Sequence, residues 1–137
     1  MAKIYGTRES KEITLLNSIT STAAINYSNA EDVSGFSSIA LRLSGTAIDT
    51  DASATFTVEV SDDASSWVAY NLLIDNVTNA NTQTITRVAS KNIASNSDIM
   101  LFFTPEAYVK YARVACDIYS TATTSGNFSA ILLANTA

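Results

Sequence analysis

The feature that most constrains this chain is a two-residue rhythm of apolar side chains, repeated along its length without a competing helical rhythm. Phe56, Val58 and Val60 alternate with Thr55, Thr57 and Glu59, and Ile39, Leu41 and Leu43 alternate with Ala40 and Arg42. Val114, Cys116 and Ile118 share one face of a further segment, and Phe128, Ala130 and Leu132 share one face of another. Successive side chains of a strand point to opposite faces, so this rhythm describes strands buried on one side. An apolar face repeating at i, i+3, i+4 and i+7 is missing throughout. Segments 11–16, 18–27, 66–73, 82–89 and 99–103 also read as strands, and Pro105 to Tyr108 as one turn of helix before a strand over 108–119.

Roughly eight to ten short strands with one apolar face imply an all-β fold of two antiparallel sheets packed face to face. The expected fold is an antiparallel β-sandwich, jelly-roll or immunoglobulin-like; strand order leaves no local trace that would choose between them. The 137 residues fit one domain, placed at 11–137, with residues 1–10 as an extended N-terminal arm. Ser44-Gly45-Thr46, Asp49 to Ser53 and Thr123 to Asn127 read as turns, and 76–81 and 90–98 as the longest loops.

Composition narrows the function. Charged residues make up 15% of the chain, against about 25% in ordinary domains. The net charge is −5, and the eight Lys and Arg residues are scattered singly. Binding of nucleic acid or of an anionic membrane needs clustered cations, so both are rejected as partners. The chain has no histidine and a single cysteine, Cys116. The commonest general base and the commonest metal ligand are thereby removed, and no catalytic residue, cofactor site or metal site is assigned. The closest carboxylate pairs, Asp49/Asp51 and Asp62/Asp63, lie in turns, where Asp usually bonds the backbone. Alternation points Cys116 inward, as a small core residue.

No apolar run reaches the length of a membrane span, and the first residues lack the apolar stretch of a signal peptide. The expectation is a protein made in the cytoplasm. Within the arm, Ile4 and Tyr5, with Arg8 beside them, are the candidate contacts to a neighbouring subunit.

One local motif has character: Ser61-Asp62-Asp63-Ala64-Ser65-Ser66-Trp67 between two strands. The short side-chain oxygens of Ser61, Asp62 and Asp63 can cap free N–H groups of the loop. Trp67 is expected to fold back and staple the hairpin to the core. The stretch resembles the Ser-Asn/Asp-Asp-Gly-x-x-Trp hairpin of discoidin-like carbohydrate-binding domains and of many bacteriophage virion proteins, with Ala64 where Gly is usual. Tyr108 to Val114 and Gly126 to Leu133 are similar to later strands of the phage proteins. The resemblance implies a β-sandwich on the outer surface of a virus particle, and it carries over no functional residues. The expected role is a capsid decoration protein that binds the major capsid protein or other virion proteins, working as a homo-oligomer. A tail, neck or fibre component belongs to the same class. The alternative is a carbohydrate- or receptor-binding module that stacks glycans on Trp67 and on Tyr27, Tyr70, Tyr108, Tyr111 and Tyr119.

Overall fold

The computed structural model describes residues 10–71, 73–78, 83–103, 109–122 and 124–135. Twelve strands occur among them: β1 (Ser10–Ile19), β2 (Asn26–Tyr27), β3 (Glu31–Asp32), β4 (Ser38–Thr46), β5 (Ser53–Ser61), β6 (Val68–Ala69), β7 (Leu73–Thr78), β8 (Gln83–Val88), β9 (Lys91–Ile93), β10 (Ser97–Phe103), β11 (Tyr111–Tyr119) and β12 (Asn127–Asn135). Two antiparallel sheets form a β-sandwich. The first has the order β1-β12-β4-β10-β7-β8. The second is built on β11 and β5, with β2 and β3 along the free side of β11 and β6 and β9 along that of β5. Three pairs nest inside one another, β4 with β12, β5 with β11, and β7 with β10. Such nesting comes from a hairpin rolled up on itself, and here β10 also lies against β4.

The alternating residues meet between the sheets as expected. Ile39, Leu41 and Leu43 of β4, Phe128, Ala130 and Leu132 of β12, Ala54, Phe56 and Val58 of β5, and Val114, Cys116 and Ile118 of β11 are buried in one core. Burying a side chain of Leu or Phe size contributes about 1.5–3 kcal/mol, and the two central strand pairs, β4 with β12 and β5 with β11, supply most of these residues. Cys116 is fully buried, and that burial pushes its thiol up to about 12, with the charge of Asp117 adding to the effect.

Several boundaries differ from the sequence reading, each for a physical reason. Twelve strands replace eight to ten because β2, β3 and β6, at two residues each, are too short to show a rhythm. The strand expected over 18–27 divides: β1 absorbs its first residues and ends at Ile19 after two register shifts against β12, and β2 takes its last two. Ser18, at φ 52°, lies in this irregular stretch and receives the Ser129 hydroxyl as acceptor for its N–H at 2.9 Å. The segment 66–73 divides, its start pairing with β5 and its end with β8 in the other sheet. The expected loop 90–98 contains β9 and the start of β10. Gly45 does not turn the chain but continues β4, and the absence of a side chain there leaves room for Ile48 and Ile93. A Cβ on Gly45 would stand 2.8 Å from Ile48 Cδ1 and 3.1 Å from Ile93 Cγ2. The turn follows at Ala47, φ 51°. The expected turn of helix at Pro105 lies outside the described residues.

Where β4 passes to β5 and β11 passes to β12, the two crossing loops clasp each other. The Asp49 N–H donates to the Ser125 carbonyl at 2.9 Å, and the Thr124 hydroxyl donates to the Asp49 carboxylate. Asp49 thus fastens a loop. Among the described residues no three His, Cys, Asp or Glu side chains gather as metal ligands would.

Candidate functional site

Two outward faces carry groups that a sandwich does not need for folding. On the first sheet, β1-β12-β4-β10-β7-β8, the outward side of an antiparallel pair is normally polar. Here register places Leu133 of β12 opposite Ala40 of β4, Ala40 opposite Phe102 of β10, and Phe102 opposite Ile74 of β7. The result is an apolar row across four strands. Phe102 is 40% exposed, and Met100, one outward position along β10, is 41% exposed. Ile131, opposite Arg42, continues the apolar surface toward β1. The charge of Arg42 is held within the face: its guanidinium makes a forked contact to Asp98, with the shortest N···O distance 2.7 Å. That contact holds the Asp98 carboxyl below its ordinary range. At the end of the face beside Ser10, a groove of about 540 Å³ opens, with Glu12, Ser38, Ala40, Phe102, Leu133 and Asn135 in its lining. An exposed apolar patch of this kind makes the face a candidate contact surface.

The second face is the outer side of β5 and β11. Arg113 of β11 donates from Nε to Glu59 of β5 at 2.7 Å. Its guanidinium lies 4.2 Å from the centre of the Tyr27 ring and 4.4 Å from that of Trp67. Two rings therefore sandwich one cation, and the cation is itself paired. Tyr27 is 48% exposed and Tyr119, further along β11, 61% exposed.

This arrangement corrects the expectation for Trp67. The ring is half-buried and stands outside the core, packed on Arg113. Its position just before β6 puts it on the solvent side of the sheet, where its ring meets the Arg113 guanidinium. It still anchors the hairpin, but to the outer face.

The polar half of the motif forms a compact cap. Asp63 Oδ1 accepts from the N–H groups of Ser65 and Ser66, both at 2.9 Å, and from the Ser61 hydroxyl at 3.0 Å. Ser61 Oγ in turn accepts from the Ala64 N–H at 2.9 Å. These bonds hold the Asp63 carboxyl far below its ordinary range. Asp62 is exposed, and the cap rests on Asp63. Ala64 adopts φ 63°, the left-handed conformation that Gly holds most easily.

Of the expected contact residues, Ile4, Tyr5 and Arg8 lie outside the described residues, as does Tyr108. Tyr70 packs inward instead, its ring 5.1 Å from that of Phe103. Sequence reasoning missed Phe102, Met100 and Arg113. The signal was present in all three: each occupies an outward position in an alternating strand, where a large apolar residue or a lone cation has no role in the core.

No protein-family model matches the sequence. No curated protein matches it in sequence. Among solved structures, the fold is similar to the crystal structure of the SPBc2 prophage-derived protein YomS, with a TM-score of 0.60 and 10% identity over 98% of this chain and 100% of that one. At that identity the likeness is one of fold: the chain is an all-β sandwich built like that prophage-derived protein.

Proposed function

We propose that this chain is a structural protein of a bacteriophage particle, specifically a capsid decoration protein that binds the outer capsid surface and performs no chemistry of its own. The observation that carries the reading is the apolar row Leu133, Ala40, Phe102 and Ile74 on the outward face of the first sheet. A row of weakly charged, half-exposed side chains suits a protein interface, since little charge must lose its water on contact. The fold likeness to a prophage-derived protein supports the phage setting. The partner is then the major capsid protein or a neighbouring virion protein, neither nucleic acid nor membrane being involved, and the chain is made in the host cytoplasm. Modest contacts repeated over a lattice accumulate into firm attachment.

Co-sedimentation of the purified chain with capsids lacking it tests this reading. Binding should be lost in Phe102→Asp and kept in Asp117→Lys, a change at an exposed position on the other sheet. Binding by Phe102→Asp equal to that of the parent chain would contradict it.

A second reading, glycan binding, is favoured by the solvent-facing rings of Tyr27 and Tyr119 on the other sheet. Aromatic faces of this kind stack on sugar rings. A glycan-array signal abolished by Tyr27→Ala, with capsid binding unchanged, would assign that face to sugars.

A further inference from the structure

We infer that the outward face of the second sheet binds a neutral, linear glycan laid along β11 from Tyr27 to Tyr119, and that it refuses acidic glycans. The inference rests on the glycan reading of this face and adds the class of sugar and the residues that select it. Val114, Cys116 and Ile118 lie in the core, so alternation turns Arg113, Ala115, Asp117 and Tyr119 outward. Register sets Tyr27 opposite Ala115. Tyr119 follows further along the same strand, about 14 Å on at ~3.4 Å per residue. That is the span of a short oligosaccharide, with a half-exposed ring to stack on at either end.

Between the rings a polar row crosses three strands. Asp117 stands opposite Thr55 of β5, and Thr55 opposite Asn92 of β9. Asn92 Nδ2 donates to Thr55 Oγ1 at 3.0 Å. That bond fixes both side chains, and it leaves the Thr55 O–H and the second N–H of Asn92 to donate outward. Asp117 is exposed, and no ion pair among the described residues uses it. Its carboxylate accepts only. Sugar hydroxyls both donate and accept, so adjacent ones match a row that holds fixed donors beside one strong acceptor.

Charge decides the class of glycan. The charged groups at the outward positions of β5, β9 and β11 are Glu59, Arg113 and Asp117. The one cation is already engaged: Arg113 donates to Glu59 at 2.7 Å, and its guanidinium lies between the rings of Tyr27 and Trp67. The charge left over is the Asp117 carboxylate. It draws hydroxyl protons and repels the carboxylate of a uronic or sialic acid. None of these residues belongs to the apolar row, so the sandwich meets the capsid with one sheet and the glycan with the other.

The test is an array of neutral hexose and N-acetylhexosamine oligosaccharides beside uronic-acid- and sialic-acid-bearing ones, probed with the labelled full-length chain. Signal is expected on the neutral members alone. Asp117→Lys should weaken the apparent affinity about ten- to a hundredfold, the loss of a hydrogen bond to a charged group. Tyr119→Ala should weaken it about tenfold, the loss of one stacked ring. Both variants should keep the circular dichroism of the parent and its binding to capsids, and Phe102→Asp should keep the array signal. Signal on the acidic members would overturn the inference and leave the broader sugar reading standing. So would a signal that Tyr27→Ala removes and that Asp117→Lys and Tyr119→Ala leave unchanged. A silent array would overturn both, and capsid binding would stand or fall separately on particles.

Discussion

The guanidinium of Arg113 lies 4.4 Å from the centre of the Trp67 ring, on the solvent side of the smaller sheet. Through Glu59 it is tied to β5, and through Tyr27 to the short β2, so one side chain links four pieces of the chain. A double-mutant cycle with Arg113→Met and Trp67→Leu should give a coupling of about 0.5–2 kcal/mol, the range of a partly desolvated cation–π contact. Trp67 is the only tryptophan, so its emission should shift to longer wavelength in Arg113→Met while the fold persists. A coupling near zero would show that the stack is geometry without energy.

Asp75 and Lys91 join the two sheets. Lys91 Nζ stands 2.8 Å from the Asp75 carboxylate, and only 12% of the Asp75 side chain is exposed. Removing one partner leaves the other charge poorly hydrated. Lys91→Met should therefore destabilise the fold by about 2–4 kcal/mol, and the Asp75→Asn/Lys91→Met double variant by less than the sum of the singles. Urea unfolding followed by Trp67 fluorescence measures both.

The hairpin cap predicts an acid response. The backbone N–H groups of Ser66 and Ser65 favour the charged form of Asp63 and lower its pKa in the folded chain. A lowered native pKa means that the unfolded state binds the proton more readily. The stabilisation is thus present above the unfolded value of about 4 and is lost as pH falls below it. Asp63→Asn should flatten the thermal midpoint between about pH 4 and pH 2 relative to the parent. In the same loop, Ala64→Gly should raise stability by about 0.5–1 kcal/mol, because glycine holds φ 63° without a Cβ clash.

Cys116 gives a chemical clock for opening of the core. Its thiol is pushed up to about 12 by burial. In the native state it should resist a disulfide reagent at pH 8, and its labelling rate should track unfolding as denaturant rises. The same shift makes the native state bind the thiol proton more tightly than the unfolded state. Its contribution is full below the unfolded value near 8.5 and is lost as pH rises toward about 12. Labelling as fast as that of a free thiol would contradict the buried assignment.

The core was legible because period two survives in long strands: the inward sets of β4, β5, β11 and β12 were read directly from alternation. What lay beyond reach was which strand neighbours which, since pairing brings together residues as distant as Ser10 and Asn135. The apolar row on the larger sheet needs that knowledge. Leu133, Ala40, Phe102 and Ile74 come from four separate strands and form a surface only once register is known. Trp67 misled for a related reason. Ring size argues for burial, but the sheet face on which a residue stands decides what it meets, and here it meets Arg113.

The most direct test of the central claim is quantitative mass spectrometry of purified phage particles carrying this chain, with copy number normalised to the major capsid protein. The account predicts one copy per capsid subunit or a simple fraction of it, as expected for a protein that covers the lattice. A handful of copies per particle would move the chain to the tail, neck or fibres, and its absence from the particles would contradict a virion role altogether.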